Sequence, residues 1–135
     1  MSYEESLSRI TLNADASLAV FTGVAGAPGS VSPSYGKMYR FVKVTGSHQC
    51  GQATAATDAV VGVLQNKPQV AGQAATVALR GVSNVMAGAV LAAGVTVTCD
   101  VTGRAIAGAA NVLGITLAAS TAADQAVPVL LKLGN

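Results

Sequence analysis

The residues best suited to catalysis are His48 and Cys50, which lie two positions apart. On a strand they would share a face, and a histidine beside a cysteine can produce a reactive thiolate. The chain has one histidine in all, and Gly46, Ser47 and Gly51 flank the pair in a pattern typical of a turn. The sequence therefore favours an exposed turn and predicts that the protein is not an enzyme, with a small hydrolase as a remote alternative.

A metal or cofactor site needs a cluster of ligands that this composition does not supply. Zinc takes three or four Cys, His or carboxylate ligands, and the chain has one His, two Cys and six scattered carboxylates. Asp100 and Asp124 fall in predicted turns, where aspartate hydrogen-bonds its own backbone. Two carboxylates suffice for glycoside hydrolysis, but only 4% of residues are aromatic and able to stack on a sugar. We predict no metal and no cofactor, with Cys50 and Cys99 as reduced thiols.

The low charge of the chain restricts its partners. Charged residues make up 10% of the 135 residues, against about 25% in an ordinary soluble domain. Only Lys37, Arg40 and Lys43 approach a cationic cluster, so we predict no nucleic-acid surface. The longest apolar run, Val85 to Val95, is shorter than the roughly 20 residues that a membrane helix needs. A surface of uncharged side chains promotes association, so we predict a homo-oligomer or an assembled structural component.

Strand patterns dominate the sequence and predict a single all-β domain, either a β-barrel or a β-sandwich. From Val95 to Val101 the residues alternate, with the valines and Cys99 on a dry face and Thr96, Thr98 and Asp100 on a wet one. From Gln73 to Arg80 the inward residues are Ala75, Val77 and Leu79 by the same reasoning. The other predicted strands are Arg9–Ala14, Leu18–Thr22, Lys37–Thr45, Val60–Gln65, Asn111–Leu117 and Gln125–Leu133.

Evidence for helices is sparse. Ser2 to Arg9 fits a capping box and predicts either one or two helical turns or an arm that orders on a partner. Ala53–Ala59 and Ala87–Ala93 are Ala-rich and could be helical by propensity, although Gly88 and Gly94 favour turns in the second. The glycine-, proline- and serine-rich stretch 23–36 predicts an exposed loop. We therefore divide the chain into an arm with the first strand, residues 1–17, and one β domain, residues 18–135.

An internal repeat relates residues 51–81 to residues 103–133. An offset of 52 positions gives ten identities in 31 aligned positions without a gap, including Gly62 with Gly114 and Gln73 with Gln125. A glycine inside an apolar strand usually marks a bulge or a close backbone approach. Pro128 lacks a backbone donor, so the last strand is predicted to lie at a sheet edge or to carry a bulge, near a subunit interface.

The order of these motifs resembles a family of small capsid decoration (cement) proteins of tailed bacteriophages. The resemblance covers the chain from about Val60 onward. It is carried by Ala71-Gly72-Gln73-Ala74, by residues 77–82 (VALRGV), by Ala93-Gly94-Val95, by residues 100–105 (DVTGRA), by residues 112–120 (VLGITLAAS) and by residues 127–131 (VPVLL).

The resemblance implies a non-catalytic virion protein, made in the host cytoplasm, that binds the major capsid protein on the capsid exterior as a symmetric oligomer, most simply a trimer. A different phage structural component (tail, fibre base or shell subunit) is the alternative. Tyr35, Tyr39 and Phe41 are the only aromatic cluster and are either core residues or interface anchors. Including them, the predicted capsid or subunit contacts are Tyr3, Leu7, Arg9, Tyr35, Tyr39, Arg40, Phe41 and Pro128.

Overall fold

The computed structural model describes residues 8–19 and 37–132, and all regular structure in these ranges is β. None of the described residues belongs to a helix long and apolar enough to span a membrane. The all-β prediction is confirmed. The strands are β1 (Ser8–Ala14), β2 (Phe41–Gly46), β3 (Gln49–Gln52), β4 (Val60–Leu64), β5 (Ala74–Met86), β6 (Thr96–Cys99), β7 (Ala105–Ala107), β8 (Gly114–Thr116) and β9 (Ala126–Leu131).

Five strands close into a small barrel in the order β1-β3-β2-β4-β5, because β5 pairs back onto β1. The β1–β3 contact is parallel, with Ala14 opposite Cys50, and the other contacts are antiparallel. Closure leaves few free strand edges within this part of the fold, which removes templates for unwanted pairing.

A second sheet grows from the far half of β5, which is 13 residues long. Its order is β5-β9-β8-β6-β7, and a parallel bridge from Ala87 to Ala105 brings β7 back to the residue that follows β5. The second sheet therefore curls in the same way as the barrel. β5 is the strand shared by both.

Two hydrophobic cores fill these curved sheets. The barrel core comprises Ala14, Leu18, Val42, Cys50, Leu64, Ala75 and Val77. The second core lies within the second sheet and also takes in Phe41, Val63 and Ala78, which alternate along their strands with barrel-core residues and so point out of the barrel. The part of the outer barrel surface that carries these three residues is thus buried by the second sheet, and the two parts form one body.

The second sheet repeats the pairing of the barrel residue by residue. In β4–β5, Val63 lies opposite Ala78; in β8–β9, Ile115 lies opposite Leu130, each 52 positions later. The hairpin β6–β7 likewise repeats β2–β3 with an offset of 55, so that Cys99 opposite Ala105 corresponds to Val44 opposite Cys50.

The repeated glycines and glutamines occupy matching sites. A Cβ on Gly62 would meet Val77 Cγ1 and the Ala78 carbonyl oxygen, and a Cβ on Gly114 would meet the residues 52 positions later, Val129 and Leu130. Both glycines therefore allow a close approach of two backbones.

In each copy a glutamine holds the turn before the last strand. Gln73 Oε1 accepts the N–H of Gln69 at 2.6 Å, and Gln125 Oε1 accepts the N–H of Thr121 at 2.9 Å. Gly72 and Asp124, the residues just before the two glutamines, both have positive φ, at 92° and 64°. The two turns are therefore built alike.

Several predicted strand boundaries are wrong. Residues 37–39 form a turn, and Leu18 lies in the turn after β1, while residues 20–22 of that predicted strand are outside the described ranges. The strand predicted from Val95 to Val101 covers only Thr96–Cys99. Val101 is 73% exposed because the chain turns after Cys99, and Thr98 is buried although it was predicted on the wet face. β3 and β7, three or four residues each, were not predicted.

The prediction that the strand of Pro128 lies at a sheet edge or carries a bulge is also wrong. β9 lies between β5 and β8 and has no register shift in either pairing. The proline is tolerated because the last residue pair between β8 and β9 is Thr116 with Val129. Pro128 comes one position after this pair, so β8 does not need a hydrogen bond from a Pro128 N–H. At the matching barrel position, the Thr76 N–H is bound by a side chain, Asn66 Oδ1, at 2.9 Å.

The Ala-rich stretches are loops. In residues 53–59, which connect β3 to β4, Asp58 Oδ2 accepts the N–H groups of Thr54 at 2.7 Å and Ala55 at 3.0 Å, and it pairs with Lys43 Nζ at 3.1 Å. The Asp58 carboxylate therefore accepts hydrogen bonds from the backbone N–H groups at the start of this segment, and it stabilises a loop there instead of a helix. Ala87–Ala93 is likewise non-helical and forms two isolated bridges.

We expect the Asp58→Asn variant to lose about 1.5 kcal/mol of stability at neutral pH. Hydrogen bonds, first from the Thr54 backbone and then from Lys43, lower the pKa of Asp58 to about 2 from an ordinary 3.8. Because the folded pKa is lower than the unfolded one, this stabilisation is complete above about pH 4 and is lost as the pH falls toward 2. Urea unfolding from pH 7 to pH 2 measures it.

The Lys43→Met variant is the comparison, because it keeps both backbone hydrogen bonds to Asp58 and should retain more of the effect. The difference between wild type and Asp58→Asn should shrink toward zero at low pH. Parallel stability curves at all pH values would contradict this role of the carboxylate.

Candidate functional site

The structure separates the two residues that most resembled a catalytic pair. His48 lies in the tight turn between β2 and β3 with φ of 54° and is exposed, as the turn prediction had it. Cys50 is instead a strand residue, fully buried inside the barrel among Ala14 and Val42. Cys99 is buried in the other core, so the two thiols are unpaired and lie in different cores.

We expect both thiols to be unreactive in the folded protein. Burial, together with the nearby charge of Asp15, raises the pKa of Cys50 to about 11, and burial with Asp58 and Asp100 raises the pKa of Cys99 to about 11. Relative to an ordinary thiol, the thiolate fraction at neutral pH falls about 100-fold. An aromatic disulfide reagent should label two thiols in urea and none rapidly in buffer, whereas rapid labelling of native Cys50 would restore the hydrolase alternative.

Residues 37–41 form a segment that joins the barrel to the second sheet. Tyr39 has φ of 68°, and its N–H donates to Leu64 O at 2.7 Å on the barrel side. Its carbonyl accepts the Met86 N–H at 2.8 Å, and the Phe41 N–H donates to Gly103 O at 2.8 Å on the other side. The segment is therefore wedged between the end of β5 and the turn before β7. We call residues 37–41 the wedge.

In the barrel, the place that corresponds to the gap filled by the wedge is closed by a direct backbone hydrogen bond. Asn13, which matches Met86, donates its N–H to His48 O at 2.8 Å, and His48 matches Gly103. No chain segment enters between them. The wedge thus fills a gap that exists only in the second sheet.

A cluster of charged side chains surrounds the wedge. Arg104 Nε pairs with Asp100 Oδ2 at 3.0 Å, and Arg104 Nη1 pairs with Asp124 Oδ1 at 3.1 Å. Arg40 Nη1 donates to Thr102 O at 2.9 Å, while its Nε is buried without a hydrogen-bond partner in the described part of the chain. Together with Lys37 these residues make up the Arg40 cluster, which carries three cations and two carboxylates.

The electrostatics of the cluster show cations held close together. Burial and the charge of Arg104 lower the pKa of Arg40, with Asp124 and Asp100 acting in the opposite direction. Burial and the charge of Arg40 lower the pKa of Lys37. Such a surface suits a polar contact with a carboxylate-bearing partner.

The carboxylate of Asp100 is fixed by its own turn. Burial alone would raise the pKa of Asp100. Hydrogen bonds from the Arg104 and Thr102 backbone and from the Thr102 hydroxyl, together with the positive charge of Arg104, hold this pKa below its ordinary value. Asp100 therefore keeps the Arg104 side chain in place, as expected of an aspartate in a turn. Both aspartates lie at turns, as predicted. The side chain of Asp100 accepts hydrogen bonds from its own turn, whereas that of Asp124 pairs with Arg104.

The predicted contact residues are dispersed over the described surface. Arg9 is exposed on β1, Tyr39 and Arg40 are half-buried in the wedge, and Pro128 is half-buried in β9. Phe41 is completely buried, which is the core interpretation of the two that its sequence allowed. Tyr3, Leu7, Tyr35 and the 23–36 loop lie outside the described residues. The contact assignments stay predictions.

The sequence did not indicate that Arg104 lies close to Arg40. The two are 64 positions apart, and only the packing of the wedge against the β6–β7 turn brings them together. It also grouped Lys43 with Arg40, whereas Lys43 pairs with Asp58. Within residues 8–19 and 37–132, no group of three or more His, Cys, Asp or Glu could hold a metal.

The fold is similar to that of a solved phage protein. Superposition on the crystal structure of the head fiber gp8.5 N base of bacteriophage phi29 gives a TM-score of 0.63 at 15% sequence identity. The match covers 94% of this chain and 95% of that chain. No protein-family model and no curated protein matches the sequence. The chain therefore has the same all-β fold as the base of a phage head fibre.

Proposed function

We propose that this protein is a structural, non-enzymatic component of a bacteriophage particle that acts as a fibre-base type of module on the head. The observation that carries the proposal is the fold match to the head fiber N base, which extends over nearly the whole of both chains. A match of this extent includes the barrel, the shared strand and the second sheet. Because fold alone does not fix function, the other features of the chain must agree with it.

Those features favour an assembled part over an enzyme. In the described residues, Cys50 is buried away from His48, and Lys43, Arg40 and Arg104 bind aspartates or a backbone carbonyl. The chain carries few charges, as expected where much surface is covered by neighbours. The partner we propose is the major capsid protein, with the half-buried Arg40 cluster as one polar contact.

A capsid cement is the second candidate, and the motifs from Val60 onward favour it. In that role the protein would bridge several capsid subunits and stabilise the lattice by binding only its assembled form. A fibre base needs attachment alone. The fold match supports the fibre-base alternative more directly than the cement.

Phage particles made with and without the gene test the proposal. We expect imaging of complete particles to show density at regular positions on the head surface, and this density should be missing without the gene and restored by adding purified protein. Heads that lack the protein should keep their resistance to heat if it is a fibre base, and should open at lower temperature if it is a cement. Unchanged head density would overturn both roles.

A further inference from the structure

β1 has one side that is left without a neighbouring strand among the described residues. From Ser8 to Asn13 this strand pairs with β5, but on its other side it pairs with β3 only at Asn13 and Ala14. β3 begins at Gln49, directly after the β2–β3 turn, so it lies beside the end of β1 and not beside its start. We call the uncovered side of residues 8–12 the β1 edge.

The hydrogen bonds at the end of β1 show which backbone groups point to this edge. Ala14 N–H donates to Gln73 O on the β5 side at 2.8 Å, whereas Asn13 N–H donates to the β2–β3 turn at 2.8 Å on the other side. Because successive residues of a paired strand alternate in direction, Thr11 and Arg9 point their N–H and C=O groups away from β5. Both residues are exposed. An extended peptide can add to such an edge as a new strand.

The side chains beside the β1 edge differ between the two faces of the sheet. Arg9 lies opposite Ala78, which points out of the barrel. Ile10 lies opposite Val77 of the barrel core and is 38% exposed. Because side chains alternate along a strand, a strand added here would place every second side chain beside Arg9 and the others beside Ile10.

Two further cations extend the face that carries Arg9. On β5, Arg80 lies opposite the start of β1. Lys132 comes level with Arg80, because the residue before Lys132 lies opposite Gly81. Arg9, Arg80 and Lys132 are all exposed. We call these three cations the Arg80 patch.

The Arg80 patch has no carboxylate partner in the described part of the chain. The four aspartates found there bind other groups: Asp15 accepts a hydrogen bond from Ser17, Asp58 pairs with Lys43, and Asp100 and Asp124 pair with Arg104. The patch is therefore complementary to acidic side chains of another molecule.

We propose that the β1 edge takes an extended segment of the major capsid protein as an additional strand. Acidic side chains of that segment lie beside the Arg80 patch, and apolar side chains lie beside Ile10. In this mode of recognition the main-chain hydrogen bonds supply affinity, and the side chains on the two faces select the segment. The inference rests on the proposed function and names a contact that holds the module on the head.

A second copy of this chain is a poorer occupant of the β1 edge. Pairing of two β1 edges would bring both Arg80 patches onto one sheet, where like charges repel. The chain as a whole also carries a net charge of +2. Because Glu4 and Glu5 precede β1 in the sequence, the experiment must nevertheless detect a second copy.

The test is co-sedimentation of the purified chain with phage heads made without it. Thr11→Pro removes the N–H that points to the β1 edge and keeps the hydrogen bonds to β5, as a proline does on an edge strand. We expect this variant to bind heads at least about 10-fold more weakly than the wild type. Thr11→Val is the matched control, because it keeps the N–H, and it should bind like the wild type.

Arg9→Glu tests the charge of the occupant, and it decides the matter if Thr11→Pro fails to fold. We expect at least about 10-fold weaker binding at low salt, with a smaller difference from the wild type as salt is added. Lys67→Glu is the matched control, because it makes the same change of charge at an exposed position in the loop before β5. It should bind like the wild type.

Hydrogen exchange identifies the chain that occupies the edge. The amides of Arg9 and Thr11 should exchange rapidly in the chain alone at every concentration and slowly on heads. Equal binding within either pair of variant and control would overturn the inference and leave attachment to the head standing. Slow exchange in the concentrated chain alone would do the same, because it indicates a second copy. A wild-type chain that does not bind heads would overturn the proposed function as well.

Discussion

Replacing Gly62 with alanine should remove about 3 kcal/mol or more of folding stability. An added Cβ would lie 2.6 Å from Val77 Cγ1 and even closer to the Ala78 carbonyl oxygen. That oxygen belongs to β5, which is held on both sides by β4 and β1, so it cannot move away without opening the barrel. A small domain has a total stability of about 5–15 kcal/mol, so the variant should be largely unfolded on moderate heating.

Two further glycine variants make this prediction specific. Gly114→Ala should cost somewhat less, about 2 kcal/mol, because its backbone obstacle, the Leu130 carbonyl oxygen at 2.6 Å, lies farther from the added Cβ than the Ala78 oxygen lies from a Cβ on Gly62. Gly72→Ala should cost about 1 kcal/mol, since nothing lies near its Cβ and only the positive φ is strained. Urea unfolding followed by far-ultraviolet circular dichroism ranks the three. A Gly62→Ala variant as stable as Gly72→Ala would falsify the close approach of β4 and β5.

The Phe41→Ala variant should lose about 3–5 kcal/mol. Among residues 8–19 and 37–132, Phe41 is the largest fully buried side chain, and it points out of the barrel into the second core. Its backbone binds Gly103 O and the Ala53 N–H, so the surrounding chain cannot collapse into the cavity that the ring leaves. The loss should appear as one cooperative transition at lower urea, because both cores depend on the same residue.

Val44→Ala is the matched control for Phe41. It shortens a side chain on the same strand that is 50% exposed, so it should change stability by less than about 0.5 kcal/mol. Two separate transitions in Phe41→Ala, one for each core, would contradict a single folding unit. Equal effects of the two variants would contradict the role of the ring as the link between the cores.

The strand pattern was readable from the sequence where a strand had one clearly buried face. β4 and β9 lie within the predicted segments, and β1 begins one residue before its segment, at Ser8. β9 shows the period most plainly, because Val127, Val129 and Leu131 are buried and the residues between them are half-buried. β5 was predicted only in part, since beyond Arg80 it continues from one core into the next and its pattern changes. The short strands β3 and β7 carry too few residues for any period to show.

The candidate contact site was only partly foreseeable. Arg40 stood out as a cation near two others, yet its actual neighbours are Arg104 and the aspartates of distant turns. The wedge has a positive φ at Tyr39 that no rule for a non-glycine residue predicts. Cys50 looked like part of a turn because glycines flank it, but those glycines make room for packed strands: a Cβ on Gly51 would strike Asp15.

Periodicity and the repeated glycines by themselves determined that this chain is an all-β protein in which residues 51–81 are repeated at 103–133, because each of these signals is local or compares one stretch with another. The tertiary structure alone decided that the halves share β5, that Phe41 joins their cores, and that Pro128 sits inside a sheet. These outcomes depend on which faces meet after the chain closes on itself. Residues far apart in sequence then become neighbours, and burial, which no single segment encodes, sets what each side chain can do.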